Sequence, residues 1–350
     1  MRSTSRSTSR STAGAASGAT DRSIAQPLTP AAGAKAPRPT PRARLYFWLT
    51  PLAAMLWGTV GVTTQLLYRT TRANPLSVGF FRLAFATPVL ALACWLLLGW
   101  RGLRIARRDL ARMALIGVML ALYQACYFAA IVWVGVAVAT LVTLCLAPVL
   151  VTLFSVTLLG ERLTRPVALA MLGALGGVAC VAVGQPGAHY AADLRGVALA
   201  CGAALGYAIV TLAGRSLAGR YHAAQINAVA FAVGALTLAP LALATGLVAS
   251  YPAQGWALLV YLGLVPTALA YGLFITGMRV TPAMVASILT LLEPVTATFL
   301  AWLLFGERLS ALGWVGAALL VGAIITLAVW STRESRQPPT LPPTDAGLAA

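Results

Sequence analysis

The sequence predicts an all-α integral membrane protein of ten transmembrane helices, arranged as two inverted five-helix repeats. Three observations carry this reading. The first is composition: 59% of the residues are hydrophobic and only 9% charged, with a mean hydropathy of +0.84. Soluble domains average about 25% charged residues. A chain this poor in charge cannot cover a water-facing surface and suits a bilayer instead. The second is a series of ten apolar runs, and the third is a duplication of sequence at a fixed offset.

The elements follow in chain order. Residues 1–44 hold eight Lys/Arg and one Asp, repeat the triplet RST, and then turn Pro/Ala-rich. With almost no apolar periodicity, they read as a disordered basic tail. They are not a secretory signal, because no short apolar core lies near the start. Apolar runs long enough to cross a core of about 30 Å as helices fall at 45–67, 77–99, 111–132, 137–159, 166–184, 195–213, 223–247, 255–277, 282–305 and 311–331. Only Val134-Gly135-Val136 separates the third from the fourth. The runs are continuously apolar rather than alternating with period 2, which favours helices over a barrel. Residues 332–350 form a second polar, Pro-rich tail.

The net charge of +17 belongs to membrane topology rather than to nucleic acid, because it sits on the N-terminal tail and in short gaps between apolar runs. With the N-terminus inside, 20 of the 25 Lys/Arg fall on the inner face. Arg69, Arg72, Arg195 and Arg308 fall outside, and Arg82 lies within a span. This asymmetry obeys the positive-inside rule along the whole chain. It predicts a multi-pass protein of the cytoplasmic (inner) membrane with both termini cytoplasmic.

Residues 148–163, PVLVTLFSVTLLGERL, match residues 294–309, PVTATFLAWLLFGERL, at 8 of 16 positions with no gap and an offset of 146. Just upstream, ATLVTL (139–144) parallels ASILTL (286–291) at an offset of 147. The domains are therefore a first repeat at 45–184 and a second at 195–331. Each unit has an odd number of helices, so the second enters the membrane from the opposite side. Inverted repeats of this kind rock about a midplane site that opens alternately to the two faces, and they point to transport.

These residues resemble the EamA family of the drug/metabolite transporter superfamily over 45–331. The likeness rests on Trp57-Gly58, on the FFR run ending at Arg82, on PV…GERL in the fourth span, and above all on LLEPV…AWLLFGERL at 291–309. It implies two five-helix repeats around a central cavity and export of small metabolites such as amino acids or their derivatives. One departure is that Ala147 precedes the proline in the first repeat where Glu293 does in the second.

Glu293 is the one acidic residue deep inside a predicted span. A charge there costs about 3 kcal/mol on insertion scales, so it must face a wet space, be paired, or carry a proton. Two roles fit. A carboxyl that takes up and releases protons suits a proton-coupled step. Alternatively, Pro294 cannot donate to the Thr290 carbonyl, and a protonated Glu293 repairs that gap. Arg82 snorkels, binds main-chain carbonyls, or meets an anionic substrate group. Trp57, Tyr123, Gln124, Tyr127, Thr140, Thr143, Tyr207, Tyr271, Ser287 and Thr290 are the polar and aromatic candidates for a solute or ion pathway. For each alone, packing is the favoured reading. Ser287, Thr290 and Glu293 recur every three residues and form a stripe. Pro148 and Pro294 are candidate helix breaks. Glu161 and Glu307 are loop or cap elements, or gates. In both loops a hydroxyl, Thr164 or Ser310, precedes the next span as a potential cap.

Other classes are disfavoured. The chain lacks HExxH, GxSxG and Walker patterns and holds only two histidines, His189 and His222. No enzyme activity, cofactor or metal is expected. The five cysteines lie inside apolar stretches without metal-ligand spacing and read as packing residues. The expected partners are the lipid bilayer, a small-molecule solute and protons, with no nucleic acid. An importer of the same fold, or a non-transporting membrane sensor that uses the basic tail to recruit a partner, are the alternatives.

Overall fold

The computed structural model describes residues 41–183, 193–306 and 310–334. Among these residues there is no strand, and ten helices are long and apolar enough to cross a membrane. They are α1 (Pro41–Thr70), α2 (Pro75–Leu98), α3 (Arg107–Gly135), α4 (Val138–Leu158) and α5 (Arg165–Val183). The second set is α6 (Leu194–Ala218), α7 (Ala223–Ala244), α8 (Ala253–Gly277), α9 (Ala283–Phe305) and α10 (Ala311–Glu334). The tails at 1–40 and 335–350 lie outside the described residues, as do Glu307, Arg308 and His189.

The narrow division between the third and fourth spans is real. Helical bonding runs almost unbroken from Arg107 to Leu158 and bends at Gly135, whose φ of 75° and ψ of 168° a side chain would oppose. Capping ends other helices. Asn74 accepts from the Leu76 N–H at 2.8 Å, and Asp193 accepts from the Arg195 N–H at 2.8 Å.

The ten helices are two inverted repeats whose members are exchanged between two groups. α1 packs on α8 and α9, while its counterpart α6 packs on α3 and α4. The equivalents α2 and α7 pair with each other, and so do α5 and α10. Two glycines make the symmetry visible. A Cβ on Gly117 of α3 would strike Ala230 and come within 2.9 Å of Val233 and Gly234 on α7. A Cβ on Gly263 of α8 would come within 2.7 Å of Phe85, near Arg82 and Ala86, on α2. The glycines are 146 residues apart, and their partners 148. The α5–α10 seam is equally close: a Cβ on Gly177 would lie 2.8 Å from the Gly316 carbonyl oxygen. Small residues drive such contacts in lipid, where no hydrophobic effect separates helices from tails.

Candidate functional site

The two prolines that mark the repeat behave differently. Pro148 lies in continuous helix in α4 and does not break it, contrary to the expectation for that residue. Around Pro294, α9 loses its helical bonding at residues 290–291 and resumes at Leu292. The equivalent threonines differ as well. Thr290 turns its hydroxyl back on its own helix, donating to Ser287 O at 2.8 Å, and such back-bonding bends helices. Thr143 donates across to Ala200 O of α6 at 3.3 Å and leaves its own helix alone.

The break also changes the role open to Glu293. The Thr290 carbonyl that Pro294 cannot serve accepts the main-chain N–H of Glu293 at 3.0 Å. The carboxyl is therefore not needed for repair. It sits in the first turn of the second half of α9, only half-buried although it is in mid-span.

Around it lies a charged and aromatic cluster built from both repeats. Arg82 of α2, Tyr123 of α3 and Tyr271 of α8 lie near one another and near Glu293. Tyr127 and Tyr207 lie near Glu293 as well. All six residues are half-buried. Arg82 does not pair with Glu293 within 4 Å. Its Nε donates instead to Thr267 Oγ1 at 3.2 Å.

Aromatic contacts frame the cluster. The rings of Tyr123 and Tyr127 stack at 6.1 Å, and Tyr123 meets Tyr207 at 6.1 Å. Trp57 of α1 packs on Tyr271 at 4.8 Å and on Phe274 at 5.1 Å, and Phe231 meets Tyr271 edge-on at 5.2 Å. The Tyr127 and Thr140 hydroxyls share a 2.6 Å hydrogen bond, and Tyr207 OH donates to Thr290 Oγ1 at 3.2 Å. Trp57 is buried, and its Nε1–H has no partner.

Other expected members lie apart from this cluster. Ser287 is fully buried and donates to Met284 O at 2.8 Å. Gln124 is buried against Gly79 of α2, its Oε1 without a partner. Ser310 caps α10 through Gly313 N–H at 3.1 Å. Thr164 fails to cap α5, since its hydroxyl has no partner. Glu161 caps a helix of the other repeat: its carboxylate accepts from Ala283 N–H at 2.8 Å and Met284 N–H at 3.3 Å, at the start of α9.

Three participants were not singled out from sequence. Phe231 and Phe274 look like any buried apolar residue. Thr267, which holds Arg82, lies in a π-helical turn at Leu264–Leu269 within α8. Pro266 was its one visible signal. Such bulges recur at functional sites.

The chain matches the EamA-like transporter family over residues 45–183 and 194–329. It is 29% identical over 287 residues to the uncharacterized transporter YwfM of Bacillus subtilis, covering 82% of this chain and 95% of that protein. It is 30% identical over 285 residues to the pseudopaline exporter CntI of Pseudomonas aeruginosa, covering 79% and 94%. It is 32% identical over 252 residues to a probable terminal-alkyne amino-acid exporter of Streptantibioticus cattleyicolor, covering 70% and 81%. A solved crystal structure superposes with a TM-score of 0.71 at 23% identity, covering 84% of this chain and 98% of the other, which establishes likeness of fold.

Proposed function

Because the chain belongs to the EamA-like transporter family, we propose that it is a secondary transporter that exports small zwitterionic metabolites, amino acids or their derivatives first, by alternating access. The observation that carries this reading is the separation of Arg82 and Glu293. A guanidinium and a carboxyl stand near the same tyrosines without a direct ion pair between them. A substrate carboxylate bonds to the Arg82 guanidinium, which is planar and permanently charged. A substrate ammonium meets Glu293, and its side chain lies against Tyr123, Tyr207, Tyr271 and Trp57.

Glu293 also couples export to protons. In one half of the cycle its carboxylate holds the ammonium. In the other a proton takes that place, so that the charge crosses the membrane compensated. The free Thr290 repair and the half-buried position support this role over a purely structural one. The repeats at 45–184 and 195–331 are the two moving halves. The Arg-rich face is cytoplasmic, and both termini lie there in the inner membrane. The relatives named as exporters support the outward direction.

The test is mass spectrometry of medium from cells overproducing the wild-type chain, against Glu293→Gln and Arg82→Gln at matched membrane abundance. Zwitterionic metabolites enriched outside only with the wild type are the expected result. No enrichment, together with no proton-driven flux of amino acids in reconstituted vesicles, would overturn the reading.

A further inference from the structure

Two groups of helices flank the substrate space: α1, α8 and α9 on one side, α3, α4 and α6 on the other. The hydrogen bonds that join described residues of one group to the other cluster toward one face. Glu161, just past α4, holds the Ala283 and Met284 N–H groups of α9. Arg215 of α6 lies 3.7 Å from the Glu161 carboxylate and donates to Met278 O beyond α8. Arg279 donates in return to Ala218 O at 2.9 Å and to Tyr221 O at 3.1 Å, at the end of α6. All of these lie on the Arg-rich face. The bond from Tyr207 to Thr290 is the one crossing bond nearer the middle among the described residues. Bonds in the opposite half, such as Tyr261 to Thr59 and Thr143 to Ala200, stay within a group.

Burial divides in the same way. Every residue of the first half of α9, Ala283–Leu289, is buried. None is buried in the second half, Leu292–Phe305, which packs on α1 and α10. The break at residues 290–291 separates a buried half from a less buried one, with Glu293 close to the junction.

We propose that Glu161, with Arg215 and Arg279, is the latch of the gate at the Arg-rich face. It holds the first half of α9 against α4 and α6 while the space at Glu293 is open toward the other face. The latch rests on the alternating-access reading above. For the Arg-rich face to open, α9 must leave α4. The two α9 amides then exchange the Glu161 carboxylate for water, and Arg279 releases two main-chain carbonyls. A carboxylate at a helix start also offsets the positive end of the helix dipole, so its loss favours departure. Charged contacts broken in one state are the means by which a two-state element is biased.

Accessibility tests the latch without requiring transport. In a chain whose five cysteines are replaced by alanine, single probes are placed at Ser287→Cys and at Leu300→Cys. The second lies two turns beyond Glu293 on the same helix face. A membrane-impermeant maleimide is applied from each side of sealed vesicles. Adding Glu161→Ala should speed labelling at 287 from the Arg-rich face at least tenfold and slow labelling at 300 from the opposite face. Arg279→Ala should act in the same direction, and serves if Glu161→Ala fails to insert. Unchanged rates at both probes would overturn the latch. So would faster labelling at 287 with no change at 300, the result of a frayed helix end. Reciprocal labelling in a chain that moves no solute would keep the latch and remove the exporter reading.

Discussion

Gly58 of α1 has no Cβ, and the Glu293 carbonyl of α9 stands 2.8 Å from where one would be, with Thr296 Cβ at 2.6 Å. The two helices thus touch through main chain where α9 breaks. Gly58→Val should push α1 away and cost about 1–3 kcal/mol through overpacking. Thermal unfolding in detergent should show a lower Tm, and transport should fall further than the Tm shift explains. Gly61→Val, where nothing lies within 4 Å, should leave both near wild type.

Glu293→Gln keeps the shape and removes the charge. Membrane abundance should be normal, and transport should be lost or become independent of pH. Substrate flux measured across a series of external pH values checks this, and wild-type rate with wild-type pH dependence would refute proton coupling through Glu293.

Tyr207→Phe removes the hydroxyl that donates to Thr290 at 3.2 Å but keeps the ring against Tyr123. A single neutral hydrogen bond contributes about 1 kcal/mol, so a rate loss of about fivefold is expected. Tyr207→Ala also removes the wall of the space and should cost more, chiefly in KM.

Asp109 is 1% exposed and joins Arg220 at 2.7 Å, Arg112 at 3.2 Å and Tyr221 OH at 2.9 Å. These contacts tie the start of α3 to the α6–α7 turn. Asp109→Ala should destabilise the protein by about 2 kcal/mol, because charged hydrogen bonds to a buried acceptor are lost. Arg112→Ala, with its partner still held by Arg220, should cost much less in the same melting experiment.

His222 caps α7 by accepting from Ala224 N–H at 3.2 Å, while the main-chain N–H of His222 donates to Gln225 Oε1 at 3.0 Å. Burial, and then Arg279, push its pKa below 6.5. Only the neutral ring can accept. The stability this contributes is therefore complete above pH 6.5 and is lost as pH falls through the lowered native pKa. Tm should decline on acidification by an amount that His222→Asn, a capping residue without a titration, abolishes.

The ten spans and the division between α3 and α4 at Gly135 were legible because lipid enforces them, and the duplication because residue identities recur at a fixed offset. A chain crossing hydrocarbon must satisfy its main chain within helices, and apolar length then gives the count. Glu293 and Arg82 were legible for a related reason, since charge in a span is costly enough to stand out. Their mutual distance was not. Nor was the choice of Thr267 as the partner of Arg82, because α2 and α8 meet only in the packed bundle. Ser287 was placed on a stripe with Glu293 by spacing, and that it is fully buried in the bundle, ahead of a break at 290–291, was not legible. Pro148 and Pro294 read as equivalent, yet α4 continues through Pro148 while α9 breaks before Pro294, and the threonines five and four residues upstream bond differently, Thr143 outward to α6 and Thr290 back to its own helix.

Local hydropathy and residue identity at a fixed offset suffice to establish the solvent, the number of helices and the repeat. Which half-buried side chains share a space, and that Glu161 reaches the other repeat, emerge only when the bundle packs. Those outcomes depend on helices distant in the chain approaching through glycines such as Gly58, Gly117 and Gly263, and close packing between distant segments leaves no local signal in either one.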